Sequence, residues 1–175
     1  MVRAQILIAS GLSLNDKRIA IGDQANISQR GVAIQCRITT EDPQNDFNSD
    51  YGRLIAYRSA SGFGIRLDAG NAFSGAVISP FFDSMLVKVT AWGHNVSECT
   101  ERLHRALREF RISGVKNNIP FLLNLLKDES FIKGTITVNY VGKHPELYKA
   151  PAGKDRGTKI LKFLRNININ GNPDV

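Results

Sequence analysis

Three patterns in this chain of 175 residues predict an α+β fold, an antiparallel sheet packed by helices. Val32-Ala-Ile-Gln-Cys-Arg-Ile38 alternates between apolar and polar positions, the period of a strand with one buried face. Met85-Leu-Val-Lys-Val-Thr-Ala-Trp92 carries the strongest β signal, rich in branched residues. Leu103, Ala106, Leu107 and Phe110 fall at i, i+3, i+4 and i+7, the apolar stripe of a helix. Strands and helices without regular βα alternation belong to the α+β class. With 42% hydrophobic and 22% charged residues the chain can bury a core and is too apolar to stay disordered.

Taken in order, Val2–Ala9 is helix-prone, ends at the cap-like Ser10-Gly11, and reads as the end of a longer amphipathic helix. Residues 12–29 are polar and irregular. Glu41-Asp42-Pro43 stops the Val32–Ile38 strand, and Asn45–Asp50 is a turn-rich connection. Arg53–Tyr57 and Gly64–Leu67 are expected as two short strands joined by the Ser/Gly turn at 59–62, followed by an extended Ala76–Ile78 closed by Pro80. After Met85–Trp92 comes a helix capped by Asn95 or Ser97 and stopping near Ser113-Gly114. A second helix spans Pro120–Leu126, with Pro120 tolerated in its first turn. Asp128–Lys133 adds a helical turn and Thr135–Val138 a short extended piece. Gly142, Pro145, Pro151, Gly153 and Gly157 mark a linker. Beyond it Ile160, Leu161, Phe163 and Leu164 give a last amphipathic helix, with Ile167–Asn170 starting a strand. The chain thus divides into residues 1–141 and an appended 142–175.

Several functional classes are disfavoured. No run approaches the roughly 18 apolar residues of a membrane span, and the N-terminus has no cleavage pattern for export, so a cytoplasmic, membrane-free protein is expected. Cys36 and Cys99 are far apart, and neither they nor His94, His104 and His144 have metal-ligand spacing; reduced thiols and no metal site are expected. Lys and Arg number 23 against 16 Asp and Glu, a net charge of +7, gathered in Arg102–Arg111 and Lys143–Arg165. Such runs are commonly solvated helix faces, though they also suit an anionic partner.

Three motifs then narrow the reading: Cys36-Arg37-Ile38-Thr39-Thr40-Glu41-Asp42-Pro43, Ser61-Gly-Phe-Gly-Ile-Arg66, and Ser79-Pro-Phe-Phe-Asp83-Ser84-Met85. With them the chain resembles the C-terminal subdomain of the biotin carboxylase domain of biotin-dependent carboxylases. The Thr39-Thr40 pair, and Pro145-Glu-Leu147, Asp155-Arg156, Thr158-Lys-Ile-Leu161 and Asn168-Ile-Asn-Gly171 in the appended segment, are most similar to the pyruvate carboxylase branch. The resemblance implies a ligase that uses ATP and bicarbonate to carboxylate biotin, with biotin, ATP and magnesium as cofactors. It also implies a piece of that enzyme, inert alone. The nucleotide lid, magnesium carboxylates and general base would precede it, and a carboxyltransferase and biotin carrier would follow. Its partners would be the rest of the biotin carboxylase domain, the biotin carrier domain, a second copy of itself and acetyl-CoA.

By the same resemblance Arg66 stands beside the ureido oxygen of biotin, a role suited to a permanently charged fork of donors. Val138 falls on the adenine side of the nucleotide, and Arg37 near the contact between carboxylase copies. Arg111, Asp155 and Arg156 match the acetyl-CoA site, where Ser113 replaces a frequent arginine and removes a charge. Plainer alternatives stand beside each of these: Arg66 paired with Asp68 or Glu41, Arg37 in a surface pair, Val138 in the core, Arg111 and Arg156 tying helices together. The alternative function is a basic module for a polyanion such as nucleic acid, or an interaction domain. Against nucleic acid, Phe63, Phe81, Phe82 and Trp92 lie in strand and turn patterns that favour the core over exposed stacking platforms.

Overall fold

The computed structural model describes residues 1–70, 72–150 and 156–170. Along them run α1 (Val2–Ala9), β1 (Val32–Thr39), β2 (Glu41–Asp42), β3 (Asn48–Ser49), β4 (Gly52–Arg53), β5 (Ala56–Arg58), β6 (Ile65–Ala69), β7 (Val77–Ile78) and β8 (Met85–Gly93). Then follow α2 (Val96–Glu109), β9 (Arg111–Ser113), α3 (Ile119–Leu125), α4 (Glu129–Ile132), α5 (Tyr140–Lys143) and α6 (Arg156–Asn170). None of these helices is long and apolar enough to cross a membrane.

One antiparallel sheet in the order β1-β8-β6 organises the fold. Alternation sends Cys36 and Ile38 of β1 and Val87, Val89 and Ala91 of β8 to one face, where all are buried. The helix α2 covers that face with Cys99, Leu103, Ala106 and Leu107. Its first turn is closed by the Asn95 side chain, which accepts the Glu98 amide at 2.9 Å. Leu103 and Leu107 are essentially inaccessible to water, each contributing about 1.5–3 kcal/mol through burial.

The predicted long strands and helices form, but several short segments differ from expectation. Arg53–Tyr57 breaks into β4 and β5 because Leu54, wholly buried, turns inward between them. The two halves then take different partners: β4 pairs with β7 and β5 with β9, while β6 joins β8. The expected hairpin of residues 53–67 is therefore absent. The helix α2 ends at Glu109, earlier than predicted, because Phe110 turns extended (φ −59°, ψ 138°) into the core and frees Arg111–Ser113 to pair with β5. Thr135–Val138 forms no strand and leads instead through a turn into α5. Residues 167–170 continue α6 rather than starting a strand. Leu147, in the region read as linker, is buried, and Asn124 Nδ2 donates to the carbonyls of Leu147 and Lys149 at 2.9 and 2.7 Å.

Long-range polar bonds hold the end of β1. The ladder with β8 shifts register between Ile38 and Thr39, leaving backbone groups to be satisfied elsewhere. Asn118, buried, meets that need: its Oδ1 accepts the Thr39 amide at 3.0 Å and its Nδ2 donates to the Arg37 carbonyl at 3.0 Å. Asn118→Ala should lower the unfolding free energy by about 1–3 kcal/mol, the range for buried polar groups left unpaired, measured as a lower urea midpoint at constant slope.

Two further expectations follow from the packing. Gly114 has φ +102°, and a Cβ there would meet the Arg53 carbonyl oxygen and the Ile55 amide, so Gly114→Ala should destabilise by more than about 1 kcal/mol in the same assay. Burial pushes the Cys36 thiol up to about 12, with Cys99 adding to the shift, and burial also raises Cys99, whose Sγ donates to the Ala91 carbonyl at 3.2 Å. Both thiols should resist a thiol-specific reagent at pH 8 in the folded chain and react at once in urea.

Candidate functional site

The face of the sheet opposite α2 is polar, and the strand register arranges it in rows. Gln35, Thr90 and Arg66 form one row across β1, β8 and β6; Arg37, Lys88 and Asp68 form the next. Gln35 Nε2 donates to Thr90 Oγ1 at 3.0 Å. Three cations thus share two rows with a single carboxylate, and a second carboxylate, Asp83, stands just before β8.

The two arginines differ in how they are held. Arg66 places Nε and Nη2 on Asp68 Oδ1 at 3.0 and 2.8 Å. That hydrogen bonding, with the charge of Asp68, raises the Arg66 pKa further. Arg37 has only a loose partner: its Nη2 lies 3.4 Å from Asp83 Oδ2 and 3.5 Å from Met85 Sδ. Asp83 is itself occupied, since its Oδ1 accepts the Met85 amide at 3.0 Å. The Arg37 backbone is fixed by Asn118, so the residue combines a rigid base with an open guanidinium. A cavity of about 480 Å³ opens beside it, lined by Val77, Ile78, Phe82, Asp83 and Met85 among others.

Aromatic side chains surround this face, and here the sequence expectation is corrected. Phe63, Phe81 and Phe82 are 96%, 87% and 82% exposed, and Trp92 is exposed too. Phe63 sits between Gly62 (φ +129°) and Gly64 (φ +70°), whose backbone turns the ring outward. Gly64 is also pressed on the chain: its carbonyl accepts the Trp92 amide at 2.8 Å, and a Cβ would meet Arg102. Phe81 and Phe82 lie in the turn after Pro80, and Trp92 occupies an outward position of β8 opposite Ala33.

The remaining predicted site residues are not gathered here. Val138 lies in a turn and is 98% exposed, so it is not core. Arg111, on β9, directly opposes Arg58, and among the described residues neither makes an ion pair. Asp155 lies outside the described residues, as does the side chain of Arg156, the first residue of α6. Among the described residues no group of three His, Cys, Asp or Glu side chains could hold a metal ion. Sequence reasoning missed Asn118, Asp83 and Lys88 as parts of the site. Lys88 alone had a local signal, the alternation of its strand.

Comparison with known proteins agrees with this architecture. A pyruvate carboxylase of Bacillus subtilis is 49% identical over 175 residues, all of this chain and 15% of the relative. The structure of a Rhizobium etli pyruvate carboxylase variant with the allosteric activator acetyl coenzyme A superposes with a TM-score of 0.78 at 46% identity, covering 98% of this chain and 16% of that one. The biotin carboxylase domain dimer of Hydrogenobacter thermophilus 2-oxoglutarate carboxylase, in complex with magnesium ADP, ADP and bicarbonate, superposes with a TM-score of 0.67 at 33% identity over 81% of this chain and 32% of that one. The chain therefore spans about 15% of the length of the curated relative. Residues 35–143, the sheet, α2 and the helices that close over them, match the biotin carboxylase C-terminal domain, and the chain belongs to that family.

Proposed function

We propose that the chain supplies the C-terminal wall of a biotin carboxylase site in a ligase of the pyruvate carboxylase type, and that Arg66 serves the ureido oxygen of biotin. The observation that carries this is the display of Arg66: its side chain is 76% exposed on β6, directly after the Gly62-Phe63-Gly64 turn, and Asp68 Oδ1 orients the guanidinium through Nε and Nη2. A guanidinium that stabilises charge developing on an oxygen should be held in place and still have donors to offer.

Bound biotin supplies the ureido nitrogen that takes up the carboxyl group. Arg66 would donate its remaining N–H groups toward the ring oxygen, where negative charge accumulates, while Asp68 keeps the fork from swinging away. The described residues offer neither a carboxylate cluster for magnesium nor a glycine-rich phosphate loop, so ATP and its metal do not fit this chain alone. The chain alone is expected to be inert, and the rest of the carboxylase domain and the biotin carrier are its partners.

Arg37, on β1 and facing Asp83, is the proposed contact with a second carboxylase copy. The dimeric state of the Hydrogenobacter relative supports self-association. For acetyl-CoA, present in the Rhizobium relative, Arg111 with Asp155 and Arg156 remains the proposed set, and Arg58, opposite Arg111 and without an ion pair among the described residues, favours an anion there. A polyanion-binding module stays as the second reading because Phe63, Phe81 and Phe82 are exposed. No gel shift with mixed-sequence DNA or RNA at low salt would remove it.

In an intact carboxylase carrying these residues, Arg66→Lys should lower biotin-dependent bicarbonate cleavage by roughly 10²–10³, the size of losing one oxyanion donor. Arg37→Glu should leave turnover within a few-fold while shifting the sedimentation profile toward monomer. Wild-type turnover in the Arg66 variant overturns the assignment.

A further inference from the structure

Building on the role proposed above for Arg66, on which this inference rests, we infer that Arg102 is its positioning residue. From α2 it fixes the glycine turn on which β6 begins, and with it the place where the Arg66 guanidinium stands. In Ser61-Gly-Phe-Gly-Ile-Arg66 the two glycines each lie against an arginine of α2. A Cβ on Gly64 would meet the Arg102 side chain and the Trp92 carbonyl, and one on Gly62 would stand 3.0 Å from Arg105 Nη2. Both glycines have positive φ, so the turn bends over the two guanidinium groups where side chains would not fit.

The contact with Arg102 completes the end of the β6–β8 ladder. Opposed residues of a hydrogen-bonded antiparallel pair exchange two backbone bonds. Ile65 opposes Ala91, and one step further the Trp92 amide donates to the Gly64 carbonyl at 2.8 Å. The Trp92 carbonyl accepts Arg102 Nη1 at 2.7 Å, where the Gly64 amide would supply the second bond of the pair. Arg102 thus stands in for a ladder bond and holds the turn away from a plain continuation of β6. Arg105 adds a weaker grip, its Nη1 lying 3.4 Å from the Ser61 carbonyl. Arg66 follows Gly64 by two residues, opposite Thr90. Asp68 sets the direction of its fork within the strand, and Arg102 sets where the strand starts relative to β8.

The Arg102 guanidinium is itself held in place. Its Nη2 pairs with Glu98 one helical turn earlier, and the other Glu98 oxygen accepts the His94 amide at 2.7 Å. A chain of bonds therefore runs from the loop after β8 through Glu98 and Arg102 to the Trp92 carbonyl. Arg105 is paired with Glu109 at 2.7 Å. Both arginines of α2 have a carboxylate partner and a backbone acceptor, which marks them as internal braces rather than a surface awaiting an anion.

The test uses an intact carboxylase carrying Arg102→Met or Arg102→Lys, each alone and combined with Arg66→Lys. The kcat of biotin carboxylation, the ATP KM and the melting midpoint are measured for each. Arg102→Met should lower kcat about tenfold, within the roughly 10² that misplacing a reacting group can cost, with the ATP KM changed less than about threefold. Arg102→Lys keeps a charged donor for the Trp92 carbonyl and should lose only about threefold. In the Arg66→Lys background either substitution should cost less than about twofold more, because a brace for Arg66 then has little left to position. Wild-type kcat in Arg102→Met overturns the inference. So does a loss that repeats in full in the Arg66→Lys background, the behaviour of an independent structural arginine. If Arg102→Met melts too early to assay, Arg102→Lys with and without Arg66→Lys decides by the same rule. Normal turnover in Arg102→Met beside an impaired Arg66→Lys removes the brace and leaves the proposed function standing. Wild-type turnover in Arg66→Lys removes that function itself, and the brace with it.

Discussion

The register of β1 on β8 is the constraint from which the rest follows. Strand side chains alternate, so the pairing that buries Cys36, Ile38, Val87 and Val89 beneath α2 necessarily places Arg37 beside Lys88 on the opposite face. A slip of β1 by one residue would turn Cys36 and Ile38 outward and drive Arg37 against Leu103 and Leu107. Burying unpaired charges costs several kcal/mol each, far more than a domain of this size can tolerate. Apolar burial fixes the register, and the charged face is its consequence.

That register is interrupted at one place, and the interruption serves the site. Between Ile38 and Thr39 the ladder shifts, and side chains from distant segments take over from the missing strand bonds. Asn118 grips both flanking residues, Thr39 Oγ1 donates to Glu41 at 3.0 Å, and Ser84 Oγ donates to the other Glu41 oxygen at 2.8 Å. The Thr40 amide reaches the Ser84 carbonyl at 2.9 Å. These bonds join the end of β1 to the start of β8, where Asp83 and Met85 meet Arg37. Rigidity is thus concentrated in the backbone beneath the guanidinium, while the guanidinium itself stays loosely held.

The parts of this arrangement visible in the sequence are those that depend on near neighbours. Val32–Ile38 and Met85–Trp92 declare themselves by alternation, and α2 by its stripe and the Asn95 cap, because each pattern is complete within a dozen residues. The strands β4, β5, β7 and β9 are two or three residues long and exist only through pairings across 20 to 60 positions, so their division at Leu54 carries no local mark. Arg66 and Asp68 are two apart on a strand, hence on one face, and their pairing stood among the plain alternatives. Arg37 and Asp83 are 46 positions apart, and only folding reveals how weakly they meet. The exposure of Phe63, Phe81 and Phe82 has no local mark, because an aromatic residue in a turn has no period to say which way it faces.

Counter-ions also explain why two exposed arginines on one sheet suit different tasks. An arginine bound to the residue two positions on carries its compensating charge wherever the chain goes. Held by Asp68 through Nε and Nη2, the Arg66 fork keeps one orientation beside the projecting Phe63 ring. Arg37 is held more loosely: Asp83 pairs with it at 3.4 Å, and its neighbour across the strand is Lys88, which in turn faces Asp68. The two differ in how firmly a carboxylate orients the fork, and fixed donors are what stabilising an oxyanion requires.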